Sequence, residues 1–125
     1  MTSPTILGID HVSLMVADTA AAAAFYTAVF GATPLPRPDL GFPGAWLALG
    51  PVVLHLLELP NPDPIRNRPT HGGRDRHIAL RVASTAPMAA ALEALGVSFT
   101  RSQSGRDALF FRDGDGNAWE LTARS

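Results

Sequence analysis

The 125-residue chain contains no cysteine, no excess of either charge and no long apolar run. Without cysteine it can form no disulfide, thiolate metal site or cysteine nucleophile. Ten basic against eleven acidic residues leave a net charge of −1, so nothing favours binding to nucleic acid. No apolar run approaches the ~20 residues of a membrane span, and no signal-peptide pattern opens the chain. We therefore expect a cytoplasmic protein with no membrane or nucleic-acid partner.

Motifs of several common enzyme classes are also missing. There is no glycine-rich phosphate loop, no Ser-His-Asp order and no nucleotide-binding fingerprint. Hydrolysis by an activated nucleophile and phosphoryl transfer therefore receive no support. The length and the hydrophobic content of 46% suit one globular domain spanning residues 1–125.

What the chain does contain is an internal repeat. The run His11-Val-Ser-Leu-Met-Val16 aligns with His77-Ile-Ala-Leu-Arg-Val82 at an offset of 66 residues. Further on, His55 aligns with Glu120 at an offset of 65. Each copy thus begins with a histidine and carries a second metal-ligand type of residue 43 or 44 positions later. This arrangement suggests one metal site shared by the two copies.

The order of elements predicts two βαβββ modules. The first module, about 7–59, has strands at 9–16, 32–36, 45–49 and 52–59, with a helix at 19–30 capped by Asp18 and ended by Gly31. The second, about 75–123, has strands at 76–82, 97–101, 107–112 and 118–123, with a helix that begins after Ser84, buries Met88, Leu92 and Leu95 and ends at Gly96. A connector rich in proline and glycine, 60–74, joins them and could act as a lid. The predicted fold class is α+β, with curved sheets around a metal-binding cleft.

Strand alternation predicts where the candidate ligands point. A fully apolar set of side chains covers the helix on each first strand, so His11 and His77 face the opposite, open side. Glu120 takes the open side of the last strand. His55 lies in a run that is apolar on both faces, so only the repeat alignment assigns it to this layer. The residues predicted to pack are Val12, Leu14, Val16, Ile78, Leu80, Val82, Trp119 and Leu121.

Three imidazoles and one carboxylate suit a divalent transition metal. Zn²⁺, Ni²⁺, Co²⁺, Fe²⁺ and Mn²⁺ all accept such a set, whereas Ca²⁺ and Mg²⁺ prefer oxygen ligands alone. A six-coordinate ion would keep two positions for water or substrate, which permits Lewis-acid catalysis.

Other polar or aromatic residues are weaker candidates for function. His71 is expected to be a solvated loop residue. The run Asp113-Gly-Asp-Gly-Asn117 is predicted to be a hairpin turn and not a calcium loop, because no helix flanks it. Trp46 and Phe111 could form a substrate wall or pack internally. A group of arginines could bind an anionic substrate, although they are more simply interpreted as part of a solvated charged loop. The group comprises Arg66, Arg68, Arg74 and Arg76, with Arg37 and Arg101 as weaker members.

From about Ile9 to Thr122 the sequence resembles the vicinal oxygen chelate superfamily, which includes glyoxalase I, extradiol dioxygenases and bleomycin-resistance proteins. The resemblance rests on the repeat and on the runs 11–16, 25–31, 76–80 and 111–121. It implies that the metal ligands are His11, His55, His77 and Glu120. A bacterial-type glyoxalase I would have glutamate where this chain has His55, whereas its catalytic base is matched by Glu120.

The resemblance implies a metal-dependent lyase or isomerase of the glyoxalase I-like type. Its small substrate would chelate the ion through adjacent oxygens, and Glu120 would act as ligand and general base. Three alternatives stay open: an Fe²⁺ extradiol-type dioxygenase, a thiol transferase and a non-catalytic binding protein of the bleomycin-resistance kind. Uncovered sheet edges favour a homodimer. Whether one chain or two supply the ligands of a site is left open.

Overall fold

The computed structural model describes residues 3–123 and contains two consecutive βαβββ modules. The first comprises β1 (His11–Met15), α1 (Thr19–Phe30), β2 (Thr33–Leu35), β3 (Gly44–Leu49) and β4 (Val52–Leu57). The second comprises β5 (Ile78–Val82), α2 (Ala86–Ala94), β6 (Phe99–Arg101), β7 (Ala108–Arg112) and β8 (Ala118–Ala123). A short 3-10 turn, Gly72–Arg74, lies in the connector. The predicted α+β fold with two repeated modules is confirmed.

Both sheets have the same topology, as the repeat requires. Their strand orders are β1-β4-β3-β2 and β5-β8-β7-β6. The first strand of each module runs parallel to the last, and the remaining pairs are antiparallel. Consequently β1 and β5 are edge strands. Equivalent registers place Trp46 opposite His55 and Phe110 opposite Glu120.

Helix α1 begins and ends as its sequence predicts. The Asp18 carboxylate accepts a hydrogen bond from the Ala21 amide at 3.0 Å, which satisfies one of the free N–H groups of the first turn. Gly31 follows in the left-handed region, with φ of 66°, a conformation that glycine adopts without strain from a Cβ atom.

Helix α2 differs from its prediction at both ends. Thr85, and not Ser84, is the residue before the first turn, while the Ser84 hydroxyl accepts from the Ala86 amide at 3.2 Å. The prediction that Leu95 packs in the core was wrong, because α2 ends at Ala94 and Leu95 is 48% exposed.

The predicted packed faces are confirmed, and the core joins the two modules. Trp119 and Leu121 are fully buried, and the apolar faces of β1 and β5 pack against the same cluster. Aromatic side chains of α1 reach the second sheet, where the Phe30 and Trp119 rings lie 5.1 Å apart. Phe111 is 3% exposed and contacts Phe30, so it belongs to this core and forms no substrate wall.

The turn between β7 and β8 also links the modules. Asp115 accepts from the Ala17 amide at 2.9 Å, and the Asn117 side chain donates to the Met15 carbonyl at 3.3 Å. The end of β1 therefore lies beside the turn that leads into β8. Within residues 3–123, no helix has the length and apolar character needed to cross a bilayer.

Candidate metal centre

His77 and Glu120 form one pair of candidate ligands on the second module. The His77 Nε2 atom lies 3.1 Å from Glu120 Oε1, and its Nδ1 atom lies 2.8 Å from the Asp75 carbonyl oxygen. Since a carbonyl can only accept, Nδ1 carries the hydrogen, and in the neutral ring Nε2 presents a lone pair towards Glu120. Two acceptors at this distance need a proton or a cation between them. About 3 Å is also the separation of two neighbouring ligands around an ion that each approaches at ~2.1 Å.

Glu120 has a second charged partner. Arg106, in the loop before β7, donates from Nη1 to Glu120 Oε2 at 3.0 Å. The Glu120 side chain is only 8% exposed, whereas that of Arg106 is 50% exposed. A buried carboxylate requires such compensation, because an unpaired charge in this environment is strongly unfavourable.

His11 and His55 form the other pair, on the open face of the first sheet. Their rings are stacked with centroids 4.0 Å apart, and Trp46 stacks on the far side of His55 at 4.5 Å. The His11 Nδ1 atom lies 2.7 Å from an Asp10 carboxylate oxygen, which orients the ring and leaves Nε2 as the potential ligand atom.

Charges and burial around His55 favour the form that can bind a metal. Burial lowers its pKa below the ordinary value of 6.5, and the neighbouring His11 and Arg37 lower it further, against an opposing effect of Asp10. A neutral imidazole is the ligating form, because a protonated nitrogen has no lone pair to donate.

Within one chain the two pairs stay apart. No group of three or more potential ligands forms a metal site among residues 3–123. His77 borders a groove of about 460 Å³ between the modules, together with the β1 residues Val12–Met15. His11 lies at the other end of β1, roughly 13 Å from Met15 for a strand of this length. Each module therefore carries half of the predicted ligand set, and the four-ligand site stays a prediction.

The other sequence candidates have structural roles. The expectation for His71 was wrong: its side chain packs edge-on against Phe110 at 4.5 Å and hydrogen-bonds Thr100 at 2.7 Å. Arg68 pairs with Asp75, and Arg76 pairs with Asp63, so these two arginines brace the connector.

Two residues near the site gave no usable signal in the sequence. Arg106 lies in a serine- and glycine-containing loop with no motif, and Asp75 acts through its backbone oxygen. Only the folded chain brings Arg106 within reach of Glu120, 14 residues away.

Comparisons with known proteins show the family of the chain. The profile of the glyoxalase/bleomycin resistance protein/dioxygenase superfamily matches residues 8–121. The chain belongs to this superfamily. Glyoxylase I 4 of Arabidopsis thaliana is 32% identical over 122 residues, which cover 93% of this chain and 70% of that protein.

Solved structures of the superfamily share the fold. A glyoxalase family protein from Bacillus anthracis superposes with a TM-score of 0.79 at 22% identity, covering 99% of this chain and all of that one. The fosfomycin resistance protein FosX of Listeria monocytogenes, solved with Mn(II) and sulfate, gives a TM-score of 0.75 at 23% identity, with 97% and 93% of the chains covered. These identities establish the shared fold alone.

Proposed function

We propose that the protein is a metal-dependent lyase or isomerase of the glyoxalase I-like type that acts on a small substrate with adjacent oxygen donors. The observation that carries the proposal is the two half-sites, the His11–His55 pair and the His77–Glu120 pair. In each, one histidine is oriented through Nδ1 so that Nε2 is the potential ligand atom, and Nε2 of His77 faces Glu120. The relative named Glyoxylase I 4 supports this reaction class. The Mn(II) complex of FosX supports a divalent ion in this fold.

We further propose that a homodimer completes each site. The His11–His55 pair of one chain would meet the His77–Glu120 pair of its partner. The support is that neither pair gathers a third ligand within the described chain, although both lie on faces turned away from the core. The free edges of β1 and β5 offer backbone groups for such an association.

In such a site the metal ion, Glu120 and the aromatic stack would each have a separate role. The bound ion would supply Lewis-acid polarisation of the substrate oxygens. Glu120 would accept the proton that leaves the adjacent carbon, because it is the carboxylate beside His77 and is shielded from bulk water. The ring stack of His11, His55 and Trp46 would form one flat wall of the pocket.

Metal content tests the site directly. We expect about one transition-metal ion per chain in the purified, untagged protein and its loss in the His77→Ala variant, measured by mass spectrometry of the elements. His71→Ala is the matched control, because His71 lies in the same half of the chain but outside the proposed ligand set. Nickel, cobalt or zinc would direct the assays to isomerisation, and iron to ring cleavage. A parent protein that stays metal-free after incubation with Zn²⁺, Ni²⁺ and Fe²⁺ would refute the catalytic proposal.

Mixing two inactive variants tests whether the site is shared. His11→Ala and His77→Ala each damage every site of their own homodimers. A mixed dimer regains one intact site, formed by the unaltered half of each chain, so equal mixing should restore metal to about a quarter of the sites. No recovery after unfolding and refolding the mixture would show that each chain builds its own site.

Removing the metal with a chelator distinguishes an enzyme from a binding protein without catalytic activity. Ligand binding that persists unchanged after the metal is removed would favour sequestration. Binding that requires the ion would favour the enzyme, because the substrate is then held as a chelate.

A further inference from the structure

Arg106 is hydrogen-bonded to the Glu120 carboxylate, which the proposed site needs as a metal ligand. Its guanidinium donates from Nη1 to Glu120 Oε2, while its Nε donates to the Ser104 hydroxyl at 2.9 Å. The Ser104 hydroxyl lies in turn 2.8 Å from that of Ser102. The Ser104 contact thus orients the guanidinium towards Glu120.

The position of this cation has a consequence for metal binding. A divalent ion that binds Glu120 must weaken or replace the Arg106 contact, since both positive groups compete for one carboxylate. Displacing the Arg106 guanidinium breaks its ion pair with Glu120 and leaves this positive group beside the metal ion. Two adjacent cations repel each other, so the displaced group favours an incoming anion.

The chemistry of arginine indicates which anion this would be. The planar guanidinium offers several N–H donors in a fixed fork that matches the oxygens of a carboxylate, sulfate or phosphonate. Arg106 is half exposed and lies on a loop, so it can reorient without disturbing the core.

We propose that Arg106 holds Glu120 before the metal binds and then binds an oxyanion group of the substrate, so that metal and anion bind with positive coupling. This inference rests on the proposed function and narrows the substrate class to anionic chelating molecules. Coupling follows from thermodynamic linkage: the anion stabilises the displaced guanidinium, and the metal is what displaces it.

Mn²⁺ titrations with sulfate as the anion probe test the coupling. Free Mn²⁺ is counted by electron paramagnetic resonance, with sodium chloride replacing sulfate at equal ionic strength in the reference. In the parent we expect sulfate to raise the Mn²⁺ affinity about fivefold, the range of a partly exposed ion pair. In Arg106→Gln the affinity without sulfate should rise by a similar factor, and the sulfate effect should disappear.

Arg101→Gln is the matched control. Arg101 contacts Thr85 and Asp107 and does not touch Glu120, so this variant should behave like the parent. Thermal unfolding followed by circular dichroism checks that all variants are folded. Mn²⁺ binding that is identical in the parent and Arg106→Gln would overturn this inference alone. Absence of Mn²⁺ binding in the parent and in every variant would overturn the proposed function and this inference together.

Discussion

At the scale of single residues, one buried hydrogen-bond network joins the modules. The hydroxyl of Tyr26 donates to the Asp113 carboxylate and accepts from the Trp119 indole at 3.0 Å. Asp113 also accepts from the backbone amides of Asp115 and Asn117, both at 2.9 Å. Both oxygens of this buried carboxylate thus accept hydrogen bonds that hold the β7–β8 turn on α1. The network places the start of β8, and with it Glu120.

Replacing Tyr26 with phenylalanine should lower the free energy of unfolding by about 1–3 kcal/mol, because Asp113 and Trp119 each lose a buried partner. Urea unfolding followed by tryptophan fluorescence measures the change. An unaltered urea midpoint would contradict the assigned role of the hydroxyl.

The environment of the same tyrosine predicts that the stability of the protein falls at alkaline pH. Burial and the nearby Asp113 raise the pKa of Tyr26 above its ordinary value of 10.0. A raised pKa contributes stability at pH values below 10, and this contribution falls as the pH rises further. Because Tyr26 is the only tyrosine, tyrosinate absorbance near pH 11 should appear only as the chain unfolds. Ionisation of Tyr26 near pH 10 in the folded protein would contradict a raised pKa.

At the scale of elements, the connector is fastened to the second sheet by Asp75. Its carboxylate accepts from Arg68 at 3.2 Å and from Arg112 at 2.9 Å, and Arg112 also donates to the Pro69 carbonyl at 2.7 Å. The backbone of Asp75 meanwhile orients His77. The connector therefore serves the candidate site as a brace, whereas its role as a lid stays a prediction.

Asp75→Asn should destabilise the protein in a pH-dependent way. The hydrogen bond from Arg112 lowers the pKa of Asp75 below its ordinary value of 3.8, although partial burial opposes this. Its contribution is therefore complete above that value and is lost as the pH falls through the lowered pKa. The difference in melting temperature between parent and variant should be constant from pH 5 to 7 and shrink towards pH 2–3. A difference that does not vary with pH would argue against the ion pairs.

At the scale of the whole molecule, an apolar N-terminal arm lies next to the first half-site. Ile6 is 90% exposed and Leu7 96%, and Ile9 is 68% exposed just before His11. Burying three such side chains in a partner would stabilise a dimer through the hydrophobic effect.

We therefore expect a solution mass near twice 13.2 kDa by light scattering. The double variant Ile6→Ser, Leu7→Ser should shift the protein towards monomers and reduce its metal content in parallel, because the proposed sites need both chains. Leu95→Ser, which removes an exposed leucine at the end of α2, is the control and should do neither. A metal-binding monomer would contradict the shared site.

The sequence alone was sufficient for the repeat, the element order and the packed sides of β1, β5 and β8. These features are local or periodic: alternation on β1 separates His11 from Val12, and Asp18 caps α1 through its own turn. It was insufficient for the far end of α2, where Leu95 fits the apolar stripe although the helix stops one residue earlier.

Contacts between distant segments were decided only by the tertiary structure. His71 became a packed residue because the connector folds onto Phe110, and Arg106 reached Glu120 because β7 and β8 pair. The separation of the two ligand pairs is likewise tertiary, since it depends on how the modules pack and not on the spacing of histidines. Periodicity reports which face a side chain occupies, whereas the neighbours across that face depend on how the whole chain closes on itself.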